Sequence, residues 1–349
     1  NNVHNLNESF DPDGSWRLLK EYAARDPRIR LYRHRRNLGG SHMELLLPRL
    51  KGEYIAIAHS DDAWAPRKLE QQVTYLDAHP EVTACFTAVQ FMDENGCFLQ
   101  PEEVNYASFR PESHTPAGWL RRLVTKGNCL CHPSAMLRRQ AYRLPGALAQ
   151  GFYALPDHHR WLVLAAAGQQ MVVLPQKLTY FRLRANHANM SADTPHTRSR
   201  CQAELMFAAA TLFDRADPAV LRRAFPEMEQ WLPRRGAAGP HYTFALAKVL
   251  LQLNCAPGIR AEAARRLFGL MQRPGGAVWL RRRFGYTGAA FAADLARADL
   301  FNTGAALVEQ QLQRQLAEQT ARARFDEQAL QAIRQSNSWQ LTAPLRIAK

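Results

Sequence analysis

The chain is 349 residues long, 46% hydrophobic and 22% charged, with 45 Lys and Arg against 31 Asp and Glu for a formal net charge of +14. That composition excludes a disordered or collagenous chain and provides for a large core with an appendage, while no apolar run approaches the ~20 residues of a membrane-spanning helix. The positive excess attracts polyanions, but with no nucleic-acid motif beside it a basic, solvated surface is the better reading, and no nucleic-acid partner is expected.

Taken in order, Ser15 is placed to cap a helix over residues 16–24 with Leu18, Leu19 and Tyr22 on its apolar face, stopped by Asp26-Pro27. Residues 28–34 alternate around Ile29 and Leu31 as a strand does. Asn37-Leu38-Gly39-Gly40 is a turn opening a short helix that Pro48 ends or bends; no Gly-Lys-Ser/Thr follows, so it is not a Walker loop. The apolar run Tyr54 to Ala58 suits a buried strand of a parallel sheet and ends in His59-Ser60-Asp61-Asp62-Ala63-Trp64.

Ligands of open α/β sheets bind beyond the carboxyl ends of such strands, and two adjacent carboxylates there call for a cation or for solvent. A divalent metal carrying a diphosphate suits them. Capping of the helix that follows is the other role open to the pair. Pro66 starts that helix, with Leu69, Val73 and Leu76 at i, i+4, i+7. Residues 82–92 read as a strand closed by the Asp93-Glu94-Asn95-Gly96 turn. Residues 127–137 read as a strand with a polar loop, 157–167 as a helix ended by Gly168, and 171–184 as one or two strands interrupted at Pro175.

Beyond Thr194 the strand signal vanishes, and amphipathic helices such as 242–253 and 261–271 follow between Pro and Gly. Residues 305–335 carry sparse apolar positions at Val308, Leu312, Leu316, Phe325 and Leu330, as in a long exposed helix or an imperfect coiled coil. The Trp- and Leu-containing end after Ser338 suits a membrane surface or a following domain as well as it suits local packing. The six cysteines lack zinc spacing and read as free thiols, in keeping with a reducing compartment.

Several of these pieces form an ordered series. Asp13-Gly14-Ser15-Trp16, Asp26-Pro27-Arg28, Asn37-Leu38-Gly39-Gly40 and Lys51-Gly52-Glu53-Tyr54 precede Ser60-Asp61-Asp62-Ala63-Trp64. Pro66-Arg67-Lys68-Leu69-Glu70-Gln71-Gln72, Phe91-Met92-Asp93-Glu94-Asn95-Gly96, His132-Pro133-Ser134-Ala135, Asp157 with Trp161, and Tyr180-Phe181-Arg182 follow. This order resembles family 2 glycosyltransferases. The resemblance implies an α/β fold: a GT-A nucleotide-sugar-binding domain with a mostly parallel sheet over residues 1–195, lacking its first strand, since the chain opens at Asn1 without Met. A helical domain over 196–300 and a long helix over 301–349 would follow. The end segment from Ser338 to Arg346 is similar to a linker of bacterial glycosyltransferases that build surface polysaccharide, after which further domains often follow.

The resemblance also implies roles. Asp61 would bind Mg²⁺ or Mn²⁺, and Asp62 would orient the ribose or support the metal's surroundings. His59 stands where the family has its first Asp and would hydrogen-bond the nucleotide or terminate the strand. Asn1 and Asn2 match the pair that contacts the base. Arg182 and His187 sit where the closing loop meets the diphosphate; for His187 a solvated loop position is an equal reading. Asp157 would be the base of an inverting transfer, with Pro156 in place of the family's Glu; capping its helix is the alternative. His158 and His159 point about 100° apart on a helix, so at most one faces the chemistry, and a surface position suits both.

The expected enzyme moves a sugar from a nucleotide-diphospho donor to a glycan or lipid-linked acceptor in the cytoplasm, with peripheral association at the inner membrane face. A degraded GT-A domain serving as a scaffold and a sugar nucleotidyltransferase are the competing readings.

Overall fold

The computed structural model describes residues 3–4, 14–33, 46–100, 109, 112–148, 151–184, 194–301 and 303–335. Asn1, Asn2 and His187, the Asn37 turn and the end after Ser338 lie outside the described residues. Residues 1–298 form one compact unit and 299–349 a second.

The first unit opens with β1 (Val3–His4), paired in parallel with β2 (Tyr32–Arg33), and α1 (Ser15–Arg25) between them. Helix α1 starts at Ser15 itself because Gly14, at φ 72°, makes the turn that caps it. Its main sheet has five strands in the order β3 (Tyr54–Ala56), β6 (Met136–Arg138), β5 (Val82–Met92), β7 (Gln170–Arg182) and β4 (Ala63–Trp64).

The α/β class stands, but within the main sheet the expected parallel pairing is confined to the long β5–β7 pair. The β3–β6, β5–β6 and β4–β7 pairs are antiparallel. A strand's own periodicity carries no record of its neighbour's direction. Here β6 emerges from a 3-10 turn at His132–Ser134 and runs back between two strands of the opposite sense.

Strand β5 is the centre of the core: its residues from Val82 to Val89 are all buried, as its unbroken apolar run requires. Strand β7 continues through Pro175, and the β5–β7 register shifts there, so the missing N–H is absorbed without ending the strand.

Helix α2 (Lys68–Ala78) packs on β5 with Leu76 and Val73 of the expected stripe against the core, but turned so that Leu69 is left out. It buries Lys68, Gln72 and Leu76, while Leu69 is exposed. The rotation is explained by hydrogen bonding: Gln72 Nε2 donates to the carbonyls of Cys85 (2.8 Å) and Ser134 (2.9 Å), and Gln72 Oε1 accepts from Lys68 Nζ at 2.8 Å. Two carbonyls beside the sheet outweigh an apolar stripe because an unpaired buried acceptor costs about 1–3 kcal/mol.

Helices α3 (Pro116–Lys126) and α4 (Pro156–Ala166) cover β7 and pack on each other. Trp119 and Trp161 are fully buried, and Trp161 meets the edge of Phe86 at 4.8 Å between centroids.

Helices α5 (Pro195–Asp214), α6 (Pro218–Ala224), α7 (Gly239–Gln252), α8 (Pro257–Gln272), α9 (Gly276–Phe284) and α10 (Gly288–Ala298) follow. They are joined to the sheet region through α5 on α4 and α6 on α3. One contact matters for function: the buried Glu204 carboxylate of α5 accepts from the backbone N–H groups of Tyr153, Ala154 and Leu155 at 2.8–3.0 Å. These residues lead into α4, whose first turn carries Asp157. In the second unit, α11 (Thr303–Gln335) exposes Leu312, Leu316, Phe325 and Leu330. No described helix is long and apolar enough to cross a membrane.

Candidate active site

The loop between β3 and β4 brings His59, Asp61 and Asp62 together, with one ligand atom of each within 4.8 Å of the others. Asp62 is the rigid member. Its side chain is 3% exposed, Oδ1 accepts from the Arg182 N–H at 2.9 Å, and Oδ2 lies 3.6 Å from His59 Nδ1. Burial raises its pKa against the pull of that N–H, and the neighbouring Asp61 charge raises it further. Asp61 is more open, at 27%, and its Oδ2 lies 3.7 Å from Arg184 Nη2.

The expected diphosphate contact, Arg182, turns its guanidinium to the loop backbone. Its Nε donates to the Asp61 carbonyl at 2.8 Å, and its Nη1 donates to those of Asp93 and Glu94 at 3.0 and 2.8 Å. Arg182 thus fastens the Asp61–Asp62 loop to the Asp93 turn. Trp64 packs as expected for a loop support: its Nε1–H donates to the Pro133 carbonyl at 2.9 Å, and the Lys68 ammonium lies 4.1 Å from its ring centre. Burial brings the Lys68 pKa down to about 8.

On the other side, Asp157 stands in the first turn of α4, where Asn128 Nδ2 donates to its Oδ2 at 2.6 Å. Burial raises its pKa, opposed by the His158 backbone N–H and by Asn128. A carboxylate held between these influences is poised to accept a proton.

The expected surface setting for His158 and His159 is corrected: both are buried. His159 stacks on Phe152 and has Thr211 Oγ1 3.3 Å from its Nε2, so α5 covers it; neither ring nitrogen of His158 finds a hydrogen-bond partner among the described residues. Burial pulls both pKa values down to about 4, so they are neutral core imidazoles.

Sequence reasoning passed over the residues that connect the two sides. His132, in the 3-10 turn before β6, has Nδ1 3.1 Å from His59 Nε2 and Nε2 3.4 Å from Arg160 Nη1. Arg160, one turn after Asp157 on α4, is 3% exposed. His132 stood in a matched segment without a role. Nothing local in the sequence pairs it with residue 59 across 73 positions.

The carboxylates of Asp61 and Asp62 are hard oxygen donors that fit Mg²⁺ or Mn²⁺. Residues 7–144 match the model of the glycosyl transferase family 2. An uncharacterized protein of Mycobacterium tuberculosis is 30% identical over 191 residues, 52% of this chain and 50% of that protein. An uncharacterized glycosyltransferase of Methanocaldococcus jannaschii is 32% identical over 122 residues, 35% of this chain and 39% of that protein. The amylovoran biosynthesis glycosyltransferase AmsE of Erwinia amylovora is 25% identical over 168 residues, 48% of this chain and 59% of that protein. The chain therefore spans about half the length of the curated relatives it matches.

Proposed function

We propose that the protein, whose residues 7–144 match the model of the glycosyl transferase family 2, transfers a sugar from a nucleotide-diphospho donor to a hydroxyl of a glycan or lipid-linked acceptor. The observation that carries the proposal is the side-chain series His59, His132 and Arg160, which runs from the loop of Asp61 and Asp62 to the helix whose first turn carries Asp157. Asp61, with Asp62 behind it, would hold Mg²⁺ or Mn²⁺. Bound there, the cation supplies positive charge for the departing diphosphate. Arg184, 46% exposed and 3.7 Å from Asp61, would add a second positive charge for the diphosphate.

Asp157 takes the proton of the acceptor hydroxyl as the new bond forms. One base suffices for a single displacement with inversion, and no second carboxylate is needed as a nucleophile. Asn128 fixes one oxygen of that base, and Glu204 holds the backbone that leads into its helix. The relation to AmsE, whose name places it in amylovoran synthesis, supports a surface polysaccharide as the product. The net charge of +14 supports peripheral association with an anionic membrane face, where a lipid-linked acceptor would lie.

The test is calorimetry of UDP-, GDP- and ADP-sugars with and without Mn²⁺, followed by turnover of whichever binds. Metal-dependent binding and transfer bear the proposal out. Binding without turnover on any acceptor favours the scaffold reading, and no binding of any of them defeats the enzymatic one.

A further inference from the structure

We infer that His132 is a positioning residue that holds the His59 ring with its Nδ1–H toward the Asp62 carboxylate, leaving Asp61 as the residue that holds the cation; this rests on the reading of residues 59–62 as a metal–diphosphate site. The inference follows from donor and acceptor chemistry along one line of side chains. Arg160 can only donate, so its Nη1, 3.4 Å from His132 Nε2, makes that nitrogen the acceptor. A neutral His132 then carries its proton on Nδ1, which faces His59 Nε2 at 3.1 Å. That nitrogen must accept, so the His59 proton lies on Nδ1, facing Asp62 Oδ2 at 3.6 Å. In this polarity each of the two hydrogen bonds has one donor and one acceptor, and the His59 N–H is turned to the carboxylate. Reversing the first step sets two donors against each other, and reversing the last sets a lone pair against a carboxylate.

The anchor of the line is rigid. Arg160 is buried, its Nε donates to the Ala147 carbonyl at 3.2 Å, and its guanidinium lies over the Tyr142 ring at 4.8 Å. His132 sits on a turn closed by Ser134 Oγ donating to the Cys131 carbonyl at 2.7 Å, and its ring meets that of His59 edge to face. At the far end both oxygens of Asp62 face donors, Oδ1 the Arg182 N–H and Oδ2 the His59 ring. Asp61 is the more exposed carboxylate, and its Oδ2 meets Arg184 Nη2 at the looser distance of 3.7 Å. His59 in this tautomer has no lone pair for a cation, because its unprotonated nitrogen faces His132. An imidazole where the family has its first Asp is thus a support for Asp62. The same line ties the cation loop to α4, whose first turns carry both Asp157 and Arg160.

The test reads tautomers directly, on the full chain with heavy-nitrogen histidine, by two-bond proton–nitrogen correlation near neutral pH. His59→Gln and His132→Gln identify the two signals by their loss. Both rings should carry the proton on Nδ1, and His59 should keep it when Mg²⁺ and UDP, GDP or ADP are added. A proton on Nε2 of His59, or its loss from Nδ1 on adding Mg²⁺ and nucleotide, would overturn the inference.

Calorimetry of the same Mg²⁺–nucleotide pair gives a second readout. His132→Leu should weaken binding roughly 10- to 100-fold, as for removal of a group that orients a ligand-bearing residue. His132→Gln should restore it to within a few-fold, since an amide can accept from Arg160 and donate to His59. A glutamine as poor as leucine would overturn the inference. If the parent binds none of the three nucleotides, the glycosyltransferase reading fails, while the tautomers of the ligand-free protein still decide this one.

Discussion

Asp157→Asn separates activity from stability more cleanly than any other exchange in the chain. Asparagine keeps the shape of the side chain and can present its carbonyl to Asn128 Nδ2, which donates to Asp157 Oδ2 at 2.6 Å. What it loses is the capacity to take a proton. General-base assistance contributes about 10²- to 10⁴-fold, or about 3–5 kcal/mol of transition-state stabilisation. The turnover number should fall by that factor, with donor affinity by calorimetry unchanged.

Stability should move the other way or not at all. Burial raises the Asp157 pKa above 3.8 even after the favourable His158 N–H and Asn128 bonds are counted. The folded protein therefore binds this proton more tightly than the unfolded chain does. Its contribution to stability falls as pH rises from 3.8 through the raised value, and the full cost of the charge is present above it. The neutral amide avoids that cost, so at neutral pH the variant should melt no lower than its parent. The same shift places the acid limb of kcat/KM above the ordinary Asp range. Near-parental turnover in a variant that binds donor refutes the base assignment. A melting point several degrees lower, or an acid limb at or below 3.8, refutes the account of its environment.

Asp61→Ala should abolish the dependence of nucleoside-diphosphate binding on Mg²⁺ and lower turnover about a hundredfold or more, while melting is unchanged; persistent metal dependence in calorimetry would reassign the ligand. Gly258→Ala places a methyl 2.0 Å from the Gln202 carbonyl oxygen, where α8 starts against α5, and neither backbone can yield. It should destabilise by about 1–3 kcal/mol or more in urea unfolding, and a neutral effect would disprove the close approach. His158 and His159 bind protons near pH 6.5 when unfolded but only at about 4 when folded, so their contribution is whole above 6.5 and is lost as pH falls toward 4. Between those limits stability should drop with a slope approaching two protons, about 3 kcal/mol per pH unit, and a flat profile from equilibrium unfolding would contradict their burial.

The elements written in runs were legible in the sequence. Strand β5 falls on the residues that its apolar stretch marked out, and α4 ends by Gly168 as its punctuation indicated. Two kinds of feature were not. Strand direction is a relation between segments, so the antiparallel insertion of β6 beside β5 had no local signal. The inward face of α2 was decided by Gln72 and Lys68 meeting backbone carbonyls and an indole that only the folded chain supplies. Apolar spacing names the face that hydrophobicity prefers; a helix lying on open carbonyls follows hydrogen bonding where the two conflict.

The candidate site obeys the same rule. Its carboxylates could be named in advance because two adjacent Asp residues close the segment that follows an apolar run. Their connection could not, because it runs through His132 and Arg160, each of which is unremarkable in its own segment. A substitution such as His59 for a carboxylate reads as loss when taken alone. With His132 behind it and Asp62 before it, the imidazole adds a donor to a buried carboxylate whose other oxygen already has one. It also removes one negative charge from a pair that burial already disfavours. On the proposed reading the altered motif is therefore no argument for inactivity: a site with one fewer carboxylate and one more internal support would hold Asp61 against a firmer frame.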